Sequence, residues 1–190
     1  LAGVTDLHEI ANVCGIKGLR YVQKAGRHLP FNLFLMAPSC VPATRLETSG
    51  ATFGSREIQQ VFCEAGAIGL GEFMDFPAVI RGDDGALSRL AASGQRMKDG
   101  HAPGLRGHDL NAYLAPGIGS DHESIGYDEG LEKLRRGMYL MIREGSSERN
   151  LEELLPLVTD GNYHRCMLVV DDRNAKDIYY DGDVEAVVRK

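Results

Sequence analysis

The sequence predicts an α/β fold in which parallel strands alternate with helices. Short apolar runs recur along the chain and end in polar residues, and each is followed by Gly or Pro and then by a segment with helical spacing. Strands and helices that alternate at this pace form parallel βαβ units. Such units build either a doubly wound sheet or a (β/α) barrel, and the periodicity alone does not choose between them.

Seven apolar runs are predicted to be strands. The first is cut short and ends at Leu7-His8-Glu9, and the others span residues 32–37, 67–73, 96–102, 117–123, 138–144 and 165–171. The segments between them predict helices over residues 55–64, 83–93, 108–114, 127–136 and 150–159. The last helix has a start like a capping box, because Asn150 stands three residues before Glu153.

The length and composition predict one soluble domain. The 190 residues are 43% hydrophobic, and no linker or internal repeat divides them. A chain of this length can bury a core of its own, so we predict a single domain over residues 1–190 without a second domain. No apolar run approaches the ~18 residues that a membrane-spanning helix needs, and the four cysteines form no CxxC pair. We therefore predict a cytoplasmic protein that does not bind membranes.

The charge balance argues against nucleic acid as a partner. The chain has 21 Lys and Arg against 27 Asp and Glu, a formal charge of −6, whereas binding to a phosphate backbone needs clustered cations. The nearest basic cluster, Lys133, Arg135 and Arg136, lies among acidic residues and is predicted to be a solvated helix face. The sequence thus predicts no nucleic-acid-binding surface.

Polar and ionisable side chains stand at the end of nearly every predicted strand. In a (β/α) barrel these ends converge on one mouth, where the catalytic residues of that fold are found, whereas in an open sheet the outer ones lie too far apart. The pattern therefore favours the barrel. A single His or Glu is more often structural than functional, but together these side chains suit a divalent metal. They are His8, Glu9, Ser39, Cys40, Glu72, His101, His122, Glu123, Arg143, Glu144, Asp171 and Asp172.

Six short sequence words around these residues carry a resemblance to a known family. They are HEIANV at residues 8–13, APSCVPA at 37–43, GLGE at 69–72, DGHAPG at 99–104, SDHE at 120–123 and DDR at 171–173. In this order, and over essentially its whole length, the chain resembles the bacterial adenine deaminases of the amidohydrolase superfamily. The resemblance implies a TIM-like (β/α)8 barrel of a metal-dependent hydrolase that converts adenine to hypoxanthine and ammonia, in purine salvage.

The resemblance also implies a binuclear metal site. In that site Glu72 bridges both metals, and His101 and His122 bind the second. Asp171 holds the first metal and accepts a proton from the attacking water, with the neighbouring Asp172 left open as the alternative ligand. The ligand types suit Mn²⁺ or Fe²⁺, and Zn²⁺ is compatible with them.

Three further roles follow from the resemblance and from the position of residues at strand ends. Glu123, next to a metal ligand, is the candidate proton donor to the purine ring, and His8 is placed at an accessory metal position. Ser39 and Cys40, at one strand end, are predicted to face the substrate, a small purine. A homo-oligomer is compatible with the sequence.

The chain departs from the family pattern at its first two strands. The superfamily carries a His-x-His pair on the first barrel strand, and this sequence has none. Barrels of this kind take about 250 residues. We therefore expect an incomplete barrel, with the first strand absent and the second clipped. Two alternatives stay open: a catalytically incomplete metal-binding remnant, or a related amidohydrolase that acts on another cyclic amide or amidine.

Overall fold

The computed structural model describes residues 2–44 and 46–190 and has an α/β fold with parallel strands. The chain forms two compact units, Leu1–His101 with Ala112–Ile118, and Ala102–Asn111 with Gly119–Lys190. The described strands form one sheet of four strands and one of three, and neither sheet closes on itself. The predicted α/β class with parallel strands is confirmed, whereas the (β/α)8 barrel and the single domain stay predictions.

The first unit is built on a parallel sheet in the order β1-β2-β3-β4. Each strand pairs with the next one along the chain, which is the arrangement that helical crossovers produce. Its elements are β1 (Ala2–Asp6), α1 (His8–Gly26), β2 (Asn32–Ala37), α2 (Ser55–Glu64), β3 (Gly69–Phe73), α3 (Phe76–Ile80), α4 (Asp84–Ala92) and β4 (Lys98–Gly100).

The second unit is built on a parallel sheet in the order β5-β6-β7. Two short 3₁₀ turns, Leu155–Leu157 and Tyr163–Arg165, precede its last strand. The remaining elements in chain order are α5 (Gly107–Leu114), β5 (Ser120–Asp121), α6 (Tyr127–Arg135), β6 (Tyr139–Arg143), α7 (Leu151–Leu154), β7 (Cys166–Val169), α8 (Ala175–Tyr180) and α9 (Val184–Arg189).

The first strand ends earlier than its apolar pattern predicts. Pairing between β1 and β2 stops at Asp6, which lies opposite Met36, and the chain turns at Leu7 into α1. His8 is therefore the first residue of a helix, and Asp6 is the residue at the strand end. The prediction that the strand runs to Glu9 is wrong, because the last hydrogen-bonded partner and not the apolar run sets the end of a strand.

Helix α6 corrects the prediction of a solvated basic face. Lys133 is 0% exposed, whereas Arg135 two residues later is exposed. The prediction is wrong for Lys133 because its side chain points inward to acceptors on other segments of the same unit.

Among the described residues no helix is both long and apolar enough to cross a membrane.

The second unit has a compact apolar core, and this core yields a stability prediction. Leu154 is fully buried in it, and Leu155 beside it is 49% exposed. We expect Leu154→Ala to lower the free energy of unfolding by about 3 kcal/mol, because it removes buried surface and leaves a cavity. The matched Leu155→Ala should cost less than about 1 kcal/mol. Urea unfolding of both variants measures the difference, and equal losses would contradict this description of the core.

Candidate functional site

A group of one imidazole and two carboxylates lies in the first unit. His8 Nδ1 is 3.2 Å from Asp6 Oδ1 and 3.9 Å from Glu72 Oε1. One possible ligand atom of each residue lies within 4.8 Å of those of the other two. The three side chains come from the end of β1, the start of α1 and strand β3, so the parallel sheet brings them together.

A glycine and an irregular strand make room for this group. A β-carbon on Gly71 would lie 1.6 Å from Asp6 Oδ2, so only glycine at this position leaves space for the carboxylate. The register between β3 and β4 also shifts between Leu70 and Phe73, the stretch that contains Glu72. Such irregularities re-aim side chains and are common beside active sites.

The group has unsatisfied polar atoms. Both carboxylate oxygens of Asp6, and Nδ1 of His8, are buried and make no hydrogen bond to the described residues. Burial raises the pKa of Asp6 well above its ordinary value, and the negative charge of Glu72 raises it further. Burial lowers the pKa of His8 to about 4, so its ring is neutral at neutral pH, which is the form that binds metals.

His101 joins the same group through Glu72. Its Nδ1 lies 2.7 Å from Glu72 Oε2. The hydroxyl of the fully buried Tyr113 accepts a hydrogen bond from the backbone N–H of His101 at 2.9 Å and donates one to the carbonyl of Phe73 at 2.7 Å. This tyrosine therefore fixes the backbone of His101 against the end of β3, the strand that carries Glu72.

Ser39 and Cys40 form hydrogen bonds to two members of this group, Glu72 and His8. Both are buried, and the Ser39 hydroxyl donates to the carbonyl oxygen of Glu72 at 2.5 Å. The backbone N–H of Cys40 donates to Nε2 of His8 at 3.4 Å, and Arg89 donates to the Ser39 carbonyl at 3.0 Å. The structure thus gives both residues contacts to predicted metal ligands, while their contact with a substrate stays a prediction.

A second group lies in the second unit and contains His122, Glu123 and Asp171. Possible ligand atoms of the three lie within 4.8 Å of one another, and His122 Nε2 is 3.4 Å from Glu123 Oε1. Asp171 follows β7 and has a φ of 53°, a left-handed conformation that Asp and Asn adopt more readily than other non-glycine residues. Asp171 thus lies two residues beyond the end of β7.

Arg143, at the end of β6, connects the two carboxylates of this second group. Its guanidinium donates to both oxygens of Glu123, at 3.0 Å for Oε2, and to Asp171 Oδ2 at 3.0 Å. Asn150 accepts from its Nε at 2.9 Å. Burial alone would lower the pKa of Arg143, but the bonds to Glu123 and Asp171 raise it, so the cation holds both carboxylates in place.

Sequence reasoning missed Asp6. The predicted strand end fell on His8 and Glu9, and in the structure Glu9 is exposed on α1 while the carboxylate oxygens of Asp6 are buried beside His8 and Glu72. Gly71 is the sequence feature that could have indicated Asp6. A glycine within a strand indicates the close approach of another group, which here is the Asp6 carboxylate.

The fold and these two groups define an α/β protein with candidate metal-binding sites. The chain is 57% identical over 187 residues to an adenine deaminase of Dehalococcoides mccartyi. It is 46% identical over 189 residues to adenine deaminase 2 of Carboxydothermus hydrogenoformans, and 46% identical over 187 residues to an adenine deaminase of Archaeoglobus fulgidus. No protein-family profile matches the chain.

These matches cover 98%, 100% and 98% of the chain and 33% of each relative. The chain therefore spans about a third of the length of the curated relatives that it matches. Over that third it is a homologue of the adenine deaminases, and the resemblance stated from the sequence words is confirmed.

Proposed function

We propose that this chain supplies metal ligands and catalytic carboxylates to an adenine deaminase, which hydrolyses adenine to hypoxanthine and ammonia. The names of its homologues support this activity. The observation that carries the metal part of the proposal is the group of Asp6, His8 and Glu72, with three buried polar atoms that make no hydrogen bond to the described residues. A TIM-like (β/α)8 barrel, a place in purine salvage and a cytoplasmic location belong to the same proposal.

The first group fits a divalent cation. Asp6 and Glu72 place two carboxylates beside a neutral imidazole, and a cation would offset their repulsion and occupy the unsatisfied oxygens of Asp6. Imidazole and carboxylate ligands without thiolate suit Mn²⁺ or Fe²⁺, and also Zn²⁺. We propose that Glu72, His101, His122, Asp171 and His8 bind the metal ions and that Asp6 is a further ligand.

The reaction needs groups that move protons. When bound, the metal lowers the pKa of water from 15.7 to about 7, which supplies a nucleophile for C6 of adenine. We assign to Asp171 the uptake of a proton from the attacking water and its return to the departing amino group, and to Glu123 the donation of a proton to the purine ring. The C6–N bond then breaks, and the amine leaves as ammonia. Arg143 holds both carboxylates, so it fixes the distance between the acceptor and the donor.

The test is turnover by the full-length protein. After loading with Mn²⁺ it should convert adenine to hypoxanthine, followed as the loss of the ultraviolet absorbance of adenine, with measured metal bound per chain. A folded protein that holds two metal ions per chain and leaves adenine unchanged would refute the proposed activity.

Substitution of Ser39 tests whether this residue contributes to metal binding and not only to the stability of the fold. Ser39→Ala removes the hydrogen bond to the Glu72 carbonyl, so we expect Mn²⁺ affinity to fall by about tenfold, as for other residues that orient metal ligands. Ser93 is also fully buried and donates to a backbone carbonyl, that of Leu90 at 2.7 Å. Ser93→Ala is the matched control and should leave Mn²⁺ affinity unchanged; titration with Mn²⁺ compares the two. Equal affinities for both variants would show that Ser39 does not support Glu72.

A further inference from the structure

A fully buried lysine lies behind the His122 end of the second unit. Lys133 is 0% exposed, and its Nζ donates to three oxygens: Ala102 O at 2.7 Å, Asp121 Oδ2 at 2.8 Å and Glu129 Oε1 at 2.7 Å. All three protons of the ammonium group therefore have acceptors. Burial of a charge is costly unless it is paired and hydrogen-bonded, so this arrangement fixes the positions of its partners strongly.

Asp121 is the partner that leads to the candidate site. Its side chain is 0% exposed, and it directly precedes His122 and Glu123. Its Oδ2 accepts hydrogen bonds from the backbone N–H of Glu123 at 3.1 Å and of Ser124 at 3.0 Å, and from the Ser124 hydroxyl at 2.8 Å. The carboxylate thus folds residues 121–124 into a turn around itself, and this turn sets the direction of the side chains that it carries.

The other two partners connect further segments to the same ammonium group. The second oxygen of Asp121 accepts from the backbone N–H of Ala102 at 2.9 Å. Glu129 Oε1 accepts from the backbone N–H of Gly104 at 2.8 Å. Lys133 therefore joins helix α6 to the segment 102–104 and the turn 121–124. None of its three hydrogen bonds goes to a candidate metal ligand.

We propose that Lys133 is a positioning residue for the metal-binding end of β5: through Asp121 it holds the turn that presents His122 and Glu123. This inference rests on the proposed function, because it takes metal binding by His122 from it, whereas the hydrogen bonds that hold the turn are given by the geometry. Residues that orient metal ligands from behind typically change metal affinity or activity by about 10- to 100-fold when replaced.

The test compares Lys133→Met with Arg135→Met in the full-length protein. Both variants remove one positive charge from helix α6, but Arg135 is exposed. We expect Lys133→Met to weaken Mn²⁺ binding by about 10- to 100-fold and to lower kcat for adenine with little change in KM, while Arg135→Met keeps the parent's values. A Lys133→Met protein that folds, binds Mn²⁺ and turns over like the parent would overturn the inference.

A second variant covers the case in which Lys133→Met does not fold, because it leaves the Asp121 charge buried without its partner. Ser124→Ala removes one hydrogen bond to Asp121 and leaves the ion pair intact. A smaller loss of Mn²⁺ affinity, at an unchanged midpoint of unfolding, supports the inference, and an unchanged affinity overturns it. If the parent binds Mn²⁺ but does not deaminate adenine, the proposed function fails while the Mn²⁺ comparison still decides the role of Lys133.

Discussion

Asp171→Asn is expected to lower kcat for adenine by about 10²- to 10⁴-fold, the usual contribution of a group that takes up a proton in the transition state. The substitution is well suited to the test. Asn adopts the left-handed backbone conformation of Asp171 as readily as Asp does, and the two side chains have nearly the same size. A loss of activity therefore reports the carboxylate and not the backbone. The rate of hypoxanthine formation at saturating adenine measures it.

Asp172 supplies the matched control, because the sequence alone left open which of the two aspartates acts. Asp172→Asn removes the same charge one residue further along and should keep most of the activity. If Asp171→Asn is active and Asp172→Asn is inactive, then Asp172, and not Asp171, takes up the proton.

Glu72→Gln should also remove activity and lower the amount of bound metal, whereas Glu64→Gln, in an exposed pair with Arg20, should change neither.

Removal of metal is expected to abolish deamination, and added Mn²⁺ or Fe²⁺ should restore it. The physical reason is that water at neutral pH is too weak a nucleophile for C6 of adenine unless its pKa is lowered to about 7. Metal-free protein is prepared with a chelator, and activity is followed against the number of Mn²⁺ or Fe²⁺ ions added per chain. Mg²⁺, which prefers oxygen ligands and retains its waters, serves as the control and should restore little activity.

The dependence of activity on the number of bound ions separates a metal centre from a structural group. Activity that rises with Mn²⁺ and reaches its maximum at a fixed number of ions per chain supports the proposed metal centre. Activity that survives complete removal of metal, with the residual metal content measured, contradicts it and leaves the groups around His8 and His122 with a structural role.

Elements whose signals are local were predictable from the sequence. The bounds of β2 and α2 agree with the apolar run at 32–37 and the helical segment at 55–64, because alternation, helical spacing and flanking Gly or Pro act over a few residues. The segment at 150–159 was predicted as one helix, but only Leu151–Leu154 is α-helical before a 3₁₀ turn that contains Pro156. Helices α1, α3, α8 and α9 were not predicted.

Features that depend on distant partners were not predictable. The burial of Lys133 depends on Ala102 and Asp121, which lie 31 and 12 residues away in the chain, so the charges of its neighbours gave no warning of it. Asp6 was missed for the same reason, since its place beside Glu72 depends on where the pairing of β1 ends and on the absence of a side chain at Gly71. The candidate ligands Glu72, His101, His122 and Asp171 could be predicted because each stands at the end of an apolar run, a signal that is local to the sequence; that they bind metal stays a prediction.

Adenine deamination is best measured by the product balance of the Mn²⁺-loaded, full-length protein with adenine, with cytosine, guanine and a hydantoin as comparison substrates. We expect one hypoxanthine and one ammonia for each adenine consumed, and no comparable turnover of the other three. Folded, metal-loaded protein that leaves adenine intact, or that hydrolyses one of the comparison substrates faster, would contradict this expectation.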